Sequence, residues 1–217
     1  MQITILSSNP THPVNEYLRR WITNNSLRYE IKLVHSLQEL SGGDFLFLIS
    51  CSEIVNKEHR DKYLFSLVLH ASDLPKGRGW SPHVWELING AETITLCLLE
   101  AEDKVDTGKI WLKKEIQIPK TALWSEVNSQ LFEAEIALMN QAIKTEKKIS
   151  PTLQENHSTT NYYRRRNPTD SELDPKKSIA QQFDLLRMCD PDRFPAWLTM
   201  YGQKYKLTLE KVDNDDN

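Results

Sequence analysis

The chain has 217 residues, 39% of them apolar, enough for one good core or for one core with a small appendage. Its 27 Lys and Arg against 30 Asp and Glu leave a net charge of −3, which argues against a partner that is mainly a polyanion such as tRNA or DNA. Cys51, Cys97 and Cys189 are odd in number and lack ligand spacing, so neither a disulfide framework nor a zinc site is expected; nor is any window apolar and long enough for a signal peptide or a membrane span.

The N-terminal run ITIL (3–6) is β-branched and reads as a first strand, and the turn SSNPTHP follows it. Val14, Leu18 and Trp21 then recur at helical spacing. EIKLV (30–34) is a second strand, SLQEL a short helical piece, and Gly42-Gly43 a turn. FLFLIS (45–50) is apolar on both faces, the mark of a central strand in a covered parallel sheet. EIVNKEHRDKYL is a helix or a long loop, and YLFSLVLH ends the next core strand on His70. Strands alternating with helices predict a doubly wound α/β domain with a mostly parallel sheet.

TITLCLL (93–99) alternates and leads through the polar turn EAEDKVDTG into the return strand KIWLKKEIQI. Trp124, Val127, Leu131, Ala134, Leu138 and Ala142 form one helical stripe, with Thr121 as the expected N-cap. Between Lys144 and Asn161 the apolar content collapses, which reads as a long surface loop. Ile179, Phe183 and Leu186 predict a helix over 178–188, followed by a hairpin turning at Gly202-Gln203 and a solvated, frayed tail DNDDN. The expected division is a catalytic domain over 1–145 and a C-terminal loop, helix and hairpin over 146–217.

The turn after the first strand contains no glycine, so the GxGxxG cradle for a dinucleotide is missing, and there is no P-loop motif. Ligands of open α/β sheets bind beyond the carboxyl ends of the strands, where His70 stands. Singly, His70 reads as a structural histidine, Asp106 as a turn residue and Lys76-Gly77-Arg78-Gly79 as a solvated loop.

In combination these residues mean more. The run from His70 through Ser72, Leu74, Pro75 and Arg78 to Gly79 resembles the HPSLLPxYRG loop of the folate-dependent formyltransferases, and Asp106-Thr107-Gly108-Lys109-Ile110 resembles their DTGxI turn. PTLQENHSTTNYYRRRNPTDSELD is similar to their PxQ…Y…RxPxDxxID segment. The resemblance spans roughly residues 45–175 and is weak before residue 40.

That resemblance implies a Rossmann-like formyltransferase fold, and catalysis in which an amine attacks the formyl carbon of N10-formyltetrahydrofolate. His70 would donate to the tetrahedral oxyanion, with Asp106 fixing its protonation and relaying the amine's proton. The folate would lie against Ser50, Cys51, Leu69, Val105 and Asp106. Two positions depart from the pattern. Val68 stands where the family usually has asparagine, leaving three readings: a replacement donor such as Ser72 or a backbone N–H, a slow enzyme, or an inactive one. Asp73 stands where leucine is common and could hold a cationic amine.

The methionyl-tRNA members carry an additional C-terminal barrel for which this length leaves no room, and the glycinamide ribonucleotide members begin with a glycine-rich loop that SSNPTHP lacks. The forms SDLPKGRGWSP and YYRRRNPTDSELDP are most similar to the formyltransferases of bacterial surface-polysaccharide pathways. These act on nucleotide-linked 4-amino-4,6-dideoxy sugars. A UDP-linked 4-amino-6-deoxy-altrosamine of the pseudaminic-acid branch is the narrowest expectation, with GDP- and dTDP-linked sugars open. Asp73, Lys76, Gly77, Arg78, Trp80, Tyr163, Arg164 and Arg166 would line the substrate site, the cations meeting its diphosphate. The expected protein is a cytoplasmic monomer or homodimer without metal, nucleic acid or membrane partners. The alternatives are a folate- or nucleotide-sugar-binding relative without turnover, and a glycinamide ribonucleotide-type formyltransferase.

Overall fold

Strands apolar on both faces are stable only when helices cover the sheet, and that requirement shapes the N-terminal half. The computed structural model describes residues 1–155 and 161–212. In chain order the major elements are β1 (Gln2–Leu6), α1 (Val14–Asn25), β2 (Glu30–Val34), β3 (Gly43–Leu48), α2 (Lys57–Arg60), β4 (Tyr63–His70), β5 (Arg78–Gly79), α3 (Pro82–Ile88), β6 (Thr93–Glu100), β7 (Ile110–Gln117), α4 (Trp124–Thr145), β8 (Tyr162–Tyr163), α5 (Phe183–Arg187), β9 (Ala196–Met200) and β10 (Gln203–Leu207). Six strands form one sheet in the order β2-β1-β3-β4-β6-β7, parallel from β2 to β4 and antiparallel beyond it. The expected α/β class and mostly parallel sheet are observed.

One sheet face carries the main core. Ile3, Ile5, Phe45, Phe47, Leu67, Leu69, Leu96 and Leu98 pack there against Val14, Leu18 and Trp21 of α1 and the apolar stripe of α4. Each of those apolar side chains contributes roughly 1.5–3 kcal/mol when fully buried. On the other face Leu6, Leu46 and Leu48 form a second cluster, and Leu74, Cys97 and Leu99 a third; Val68 packs against both. Glu135 of α4 is enclosed in the helix's buried face, and burial pushes its carboxyl up to about 8, so it is a neutral acid at pH 7.

Several local expectations shift. Thr121 does not cap α4. The helix starts at Trp124, and Glu126 closes its first turn by accepting from the Leu123 amide at 2.8 Å. The helix expected over 178–188 is a 3₁₀ turn at Ala180–Gln182 followed by five α residues, with Ile179 exposed. The C-terminal hairpin turns one residue earlier than expected, at Tyr201-Gly202, both with positive φ, as a two-residue hairpin turn requires. The described stretch after α4 runs over the surface as expected but is tied down: Thr152 exchanges backbone bonds of 2.8 and 2.9 Å with Ile110, adding a bridge to the sheet edge. The tail DNDDN and residues 156–160 lie outside the described residues.

Candidate active site

Strand alternation places Val68 and His70 on the same face of β4, opposite the main core. His70 is the strand's last residue, and its imidazole is 9% exposed. The chain then loops through Ser72 and Leu74 and returns to the ring. Nε2 of His70 donates to the carbonyl of Gly77 at 2.9 Å. Gly77 has φ +71, and a side chain there would place its Cβ 2.8 Å from that of Ser72, so the return needs glycine.

The second half of the site comes from the β6–β7 connection. Glu100 pairs with Leu67 through β6, so the loop after it must run back along the sheet face to reach His70. It succeeds because Gly108 passes directly over Glu100, where any Cβ would collide with the Glu100 carbonyl. Asp106 is held at φ +58, a left-handed conformation that Asp tolerates better than most residues. Its Oδ1 lies 3.5 Å from Nδ1 of His70, and its Oδ2 accepts from the Gly79 amide at 3.0 Å.

This geometry has a chemical consequence. With Nε2–H committed to Gly77, a neutral His70 turns the Nδ1 lone pair toward a carboxylate, which offers only acceptors. The pair is therefore built to take up a proton between its two members. Beneath it, in the first turn of α3, burial and the nearby His70 and His12 hold His83 down at about 4, so that imidazole stays neutral at physiological pH.

Gln154 completes the frame; the sequence places it within the segment similar to the family's PxQ motif but gives it no role. Its Nε2 donates to the carbonyls of Asp106 and Gly108, each at 2.9 Å, while its Oε1 accepts from Nη2 of Arg78 at 3.0 Å. The available signal was the Pro151-x-x-Gln154 spacing inside a stretch otherwise read as solvated. A cavity of about 420 Å³ opens beside Gln154, between the 73–76 loop and β7, with Lys76 and Lys113 among its lining residues.

The other expected residues divide. Arg78 and Gly77 join the His70–Asp106 pair. Ser72 is wholly enclosed, with Oγ unpartnered, so it presents no surface to a ligand. Asp73 is tied to Lys113 at 2.6 Å. Trp80 lies under the guanidinium of Arg165, and Tyr163 stacks parallel to Trp85 with centroids 6.4 Å apart. Arg164 makes a two-pronged pair with Asp170 and covers Trp85, whose Nε1 donates to the Arg164 carbonyl at 3.0 Å. Arg166 donates to Ser171 Oγ at 2.9 Å and covers Phe194. Of the expected folate contacts, Ser50 (φ +48) and Cys51 turn the chain at the end of β3, and Val105 is 49% exposed beside Asp106. The Leu69 side chain points into the main core, leaving only its backbone for a ligand. Among the described residues no group of three His, Cys, Asp or Glu side chains is placed to hold a metal, and no helix is long and apolar enough to cross a membrane.

Known proteins share this frame. The methionyl-tRNA formyltransferase of Clostridium perfringens is 29% identical over 195 residues, covering 88% of this chain and 62% of its own, so the chain spans less than two thirds of that relative. A sugar N-formyltransferase from a Shewanella species superimposes with a TM-score of 0.71 at 17% identity, covering 98% of this chain and 99% of that one. HypX from Aquifex aeolicus, in complex with tetrahydrofolic acid, superimposes with a TM-score of 0.76 at 19% identity over 96% of this chain and 37% of its own. The family model described as formyl transferase matches residues 4–143, a span that holds the sheet apart from Gln2 and Ile3 of β1, together with His70 and Asp106; the chain belongs to that family.

Proposed function

We propose that this chain transfers a formyl group from N10-formyltetrahydrofolate to the primary amine of a nucleotide-linked 4-amino-4,6-dideoxy sugar. The observation that carries the reading is the His70–Asp106 pair, enclosed at the end of a sheet strand with Nε2 already engaged and a proton position open between the partners. An attacking amine must lose a proton, and this pair stands ready to hold it. The protonated pair then returns the proton to the leaving nitrogen, while the new carbon–nitrogen bond stays with the acceptor.

The donor, when bound, supplies the electrophilic formyl carbon. The surfaces at Ser50, Cys51 and Val105 fit such a group, offering an exposed turn at Ser50, a half-buried Cys51 and an exposed apolar side chain beside Asp106. Support for the folate comes also from the tetrahydrofolate complex of the HypX neighbour. Support for a sugar acceptor comes from the Shewanella enzyme, whose full length is matched. Val68 offers no donor, and His70 has Nε2 on the Gly77 carbonyl and Nδ1 toward Asp106, so the donation to the oxyanion expected from the sequence gives way to stabilisation by the charge His70 takes on with the amine's proton. We assign the catalytic unit to 1–145 and read 146–217 as the segment that braces it.

The test is an assay of the chain with the formyl donor and UDP-, dTDP- and GDP-linked 4-amino sugars, with methionyl-tRNA as a parallel arm. Formylated sugar nucleotide supports the proposal; formylation of tRNA alone replaces it. Binding of both ligands without product by the wild type would make this a carrier. In an active wild type, His70→Ala and Asp106→Asn should each lower turnover at least 100-fold, by about 3 kcal/mol or more.

A further inference from the structure

Arg78 is the cation of the expected substrate set that is joined directly to the frame around Asp106. Its guanidinium is half-buried, and among the described residues its Nε has no partner and its fork meets only the neutral oxygen of Gln154. Arg164 has both prongs on Asp170; Arg166 also has a buried Nε without a partner among the described residues, but its guanidinium lies on Ser171 and Phe194, with no link to Asp106. A partly desolvated cation without a countercharge is costly unless a ligand supplies the charge, and a guanidinium fork matches phosphate oxygens.

Arg78 also touches the proton-accepting pair by two routes. Its neighbour Gly79 donates to Asp106 Oδ2 at 3.0 Å, and its partner Gln154 clamps the carbonyls on either side of Thr107. Gln154 contacts nothing that reacts. What it does is hold Asp106 in its left-handed conformation while reading the position of Arg78.

We propose that Arg78 anchors the phosphate oxygens of the acceptor substrate and that Gln154 is the positioning residue that ties this anchor to Asp106. The inference deepens the proposed function by locating where an anionic acceptor is held. It moves the anchor away from the Arg164–Arg166 run, and it adds a residue whose effect on turnover is indirect.

The decisive probe is inorganic pyrophosphate, titrated calorimetrically into the wild type and into Arg78→Ala, Gln154→Glu and Gln154→Leu, with melting curves as the check of fold. Arg78→Ala should weaken binding at least tenfold, the loss of about one charge-assisted contact. Gln154→Glu should weaken it similarly, because its carboxylate occupies the fork. Gln154→Leu should leave it within threefold. In turnover, Gln154→Leu should lower kcat roughly tenfold or more with the acceptor KM within threefold, the pattern of lost positioning. Equal pyrophosphate affinity in the wild type and Arg78→Ala would overturn the anchor. An unchanged kcat in Gln154→Leu would overturn the positioning role. If Gln154→Leu melts, Gln154→Met fills the same space without the clamp and carries the same expectations. Because the calorimetry needs no turnover, its failure is distinct from failure of the proposed reaction. If the wild type turns over no substrate, amide exchange at Gly79 replaces kcat: faster exchange in Gln154→Leu supports the clamp, and unchanged exchange overturns it.

Discussion

Residues 70–79 and residues 161–171 meet along the short parallel ladder of β5 and β8, yet they are held by different means. The first is fastened from within: to the Gly77 carbonyl, to Asp106, and to Gln154 through Arg78. The second is fastened to itself, through Arg164 with Asp170, Arg166 with Ser171, and arginines laid over Trp85, Trp80 and Phe194. Both stretches carry Lys or Arg, so the presence of cations alone does not separate them. What separates them is what each guanidinium meets: Arg164 lies on a carboxylate and Arg165 and Arg166 lie on aromatic rings, whereas Arg78 meets a neutral amide that is itself bonded to Asp106. An arginine with a carboxylate is a brace, and one facing a neutral amide is suited to take an anion.

The strongest way to break the comparison is Gly108→Ala. The inner region depends on the close passage over Glu100, so this one methyl group should cost about 3 kcal/mol or more and abolish the site, seen in a denaturant melt. A melt like that of the wild type would mean the inner region is no more constrained than the outer one.

A pH titration of stability sharpens the same contrast. His83 and His12 are both held down to about 4 in the fold, chiefly by burial, against a usual value of 6.5. Between pH 6.5 and 4 the unfolded chain therefore binds more protons, and stability falls as pH drops, by up to a few kcal/mol. Glu135, raised to about 8 from 4.5, acts in the other direction: the folded state holds the extra proton, and stability falls as pH rises from 4.5 toward 8. The Arg164–Asp170 pair responds only at lower pH, because Arg164 holds the Asp170 carboxyl below its usual range. Melting temperature should therefore peak near pH 6, with a flatter acid limb in His83→Leu and a flatter alkaline limb in Glu135→Gln.

Asp170→Ala should have the smallest effect on stability, lowering the melting temperature by about 2–4 °C: the pair with exposed Arg164 adds little, and the loss is mainly that of the bond from the Asn167 amide. Its value lies elsewhere. Freed of its carboxylate, Arg164 becomes what Arg78 already is, and pyrophosphate affinity should rise by roughly threefold. No rise would show that partnering alone does not distinguish the two regions.

His70 and Asp106 were legible in the sequence because a motif at the end of an apolar strand recurs with a second motif at a fixed separation. The sheet was legible because covered strands are apolar on both faces. Gln154 was not, since one amide in a polar stretch looks the same whether it clamps two carbonyls or faces water. The partners of the arginine run were hidden for a related reason: Asp170 lies only six residues past Arg164, and spacing does not say which way either side chain turns. Ser72 belongs to the same class, a serine required by the loop and then enclosed by it. Element ends slipped where backbone geometry rather than apolar pattern decides, as at Leu123 and at Tyr201-Gly202.

The meeting of Gly79, Asp106 and Tyr163 at one point also sets an order of events during synthesis. All six strands of the sheet have left the ribosome once Gln117 is out, and domains fold from the N-terminus as chain emerges. At that moment His70 and Asp106 exist, but Gln154 and the ladder strand that fixes Gly79 do not. The sheet therefore precedes the site by the length of α4 and the segment after it. A nascent chain arrested just after α4 should bury the main core while leaving Asp106 without its clamp, so the scaffold and the chemistry mature as two separate steps.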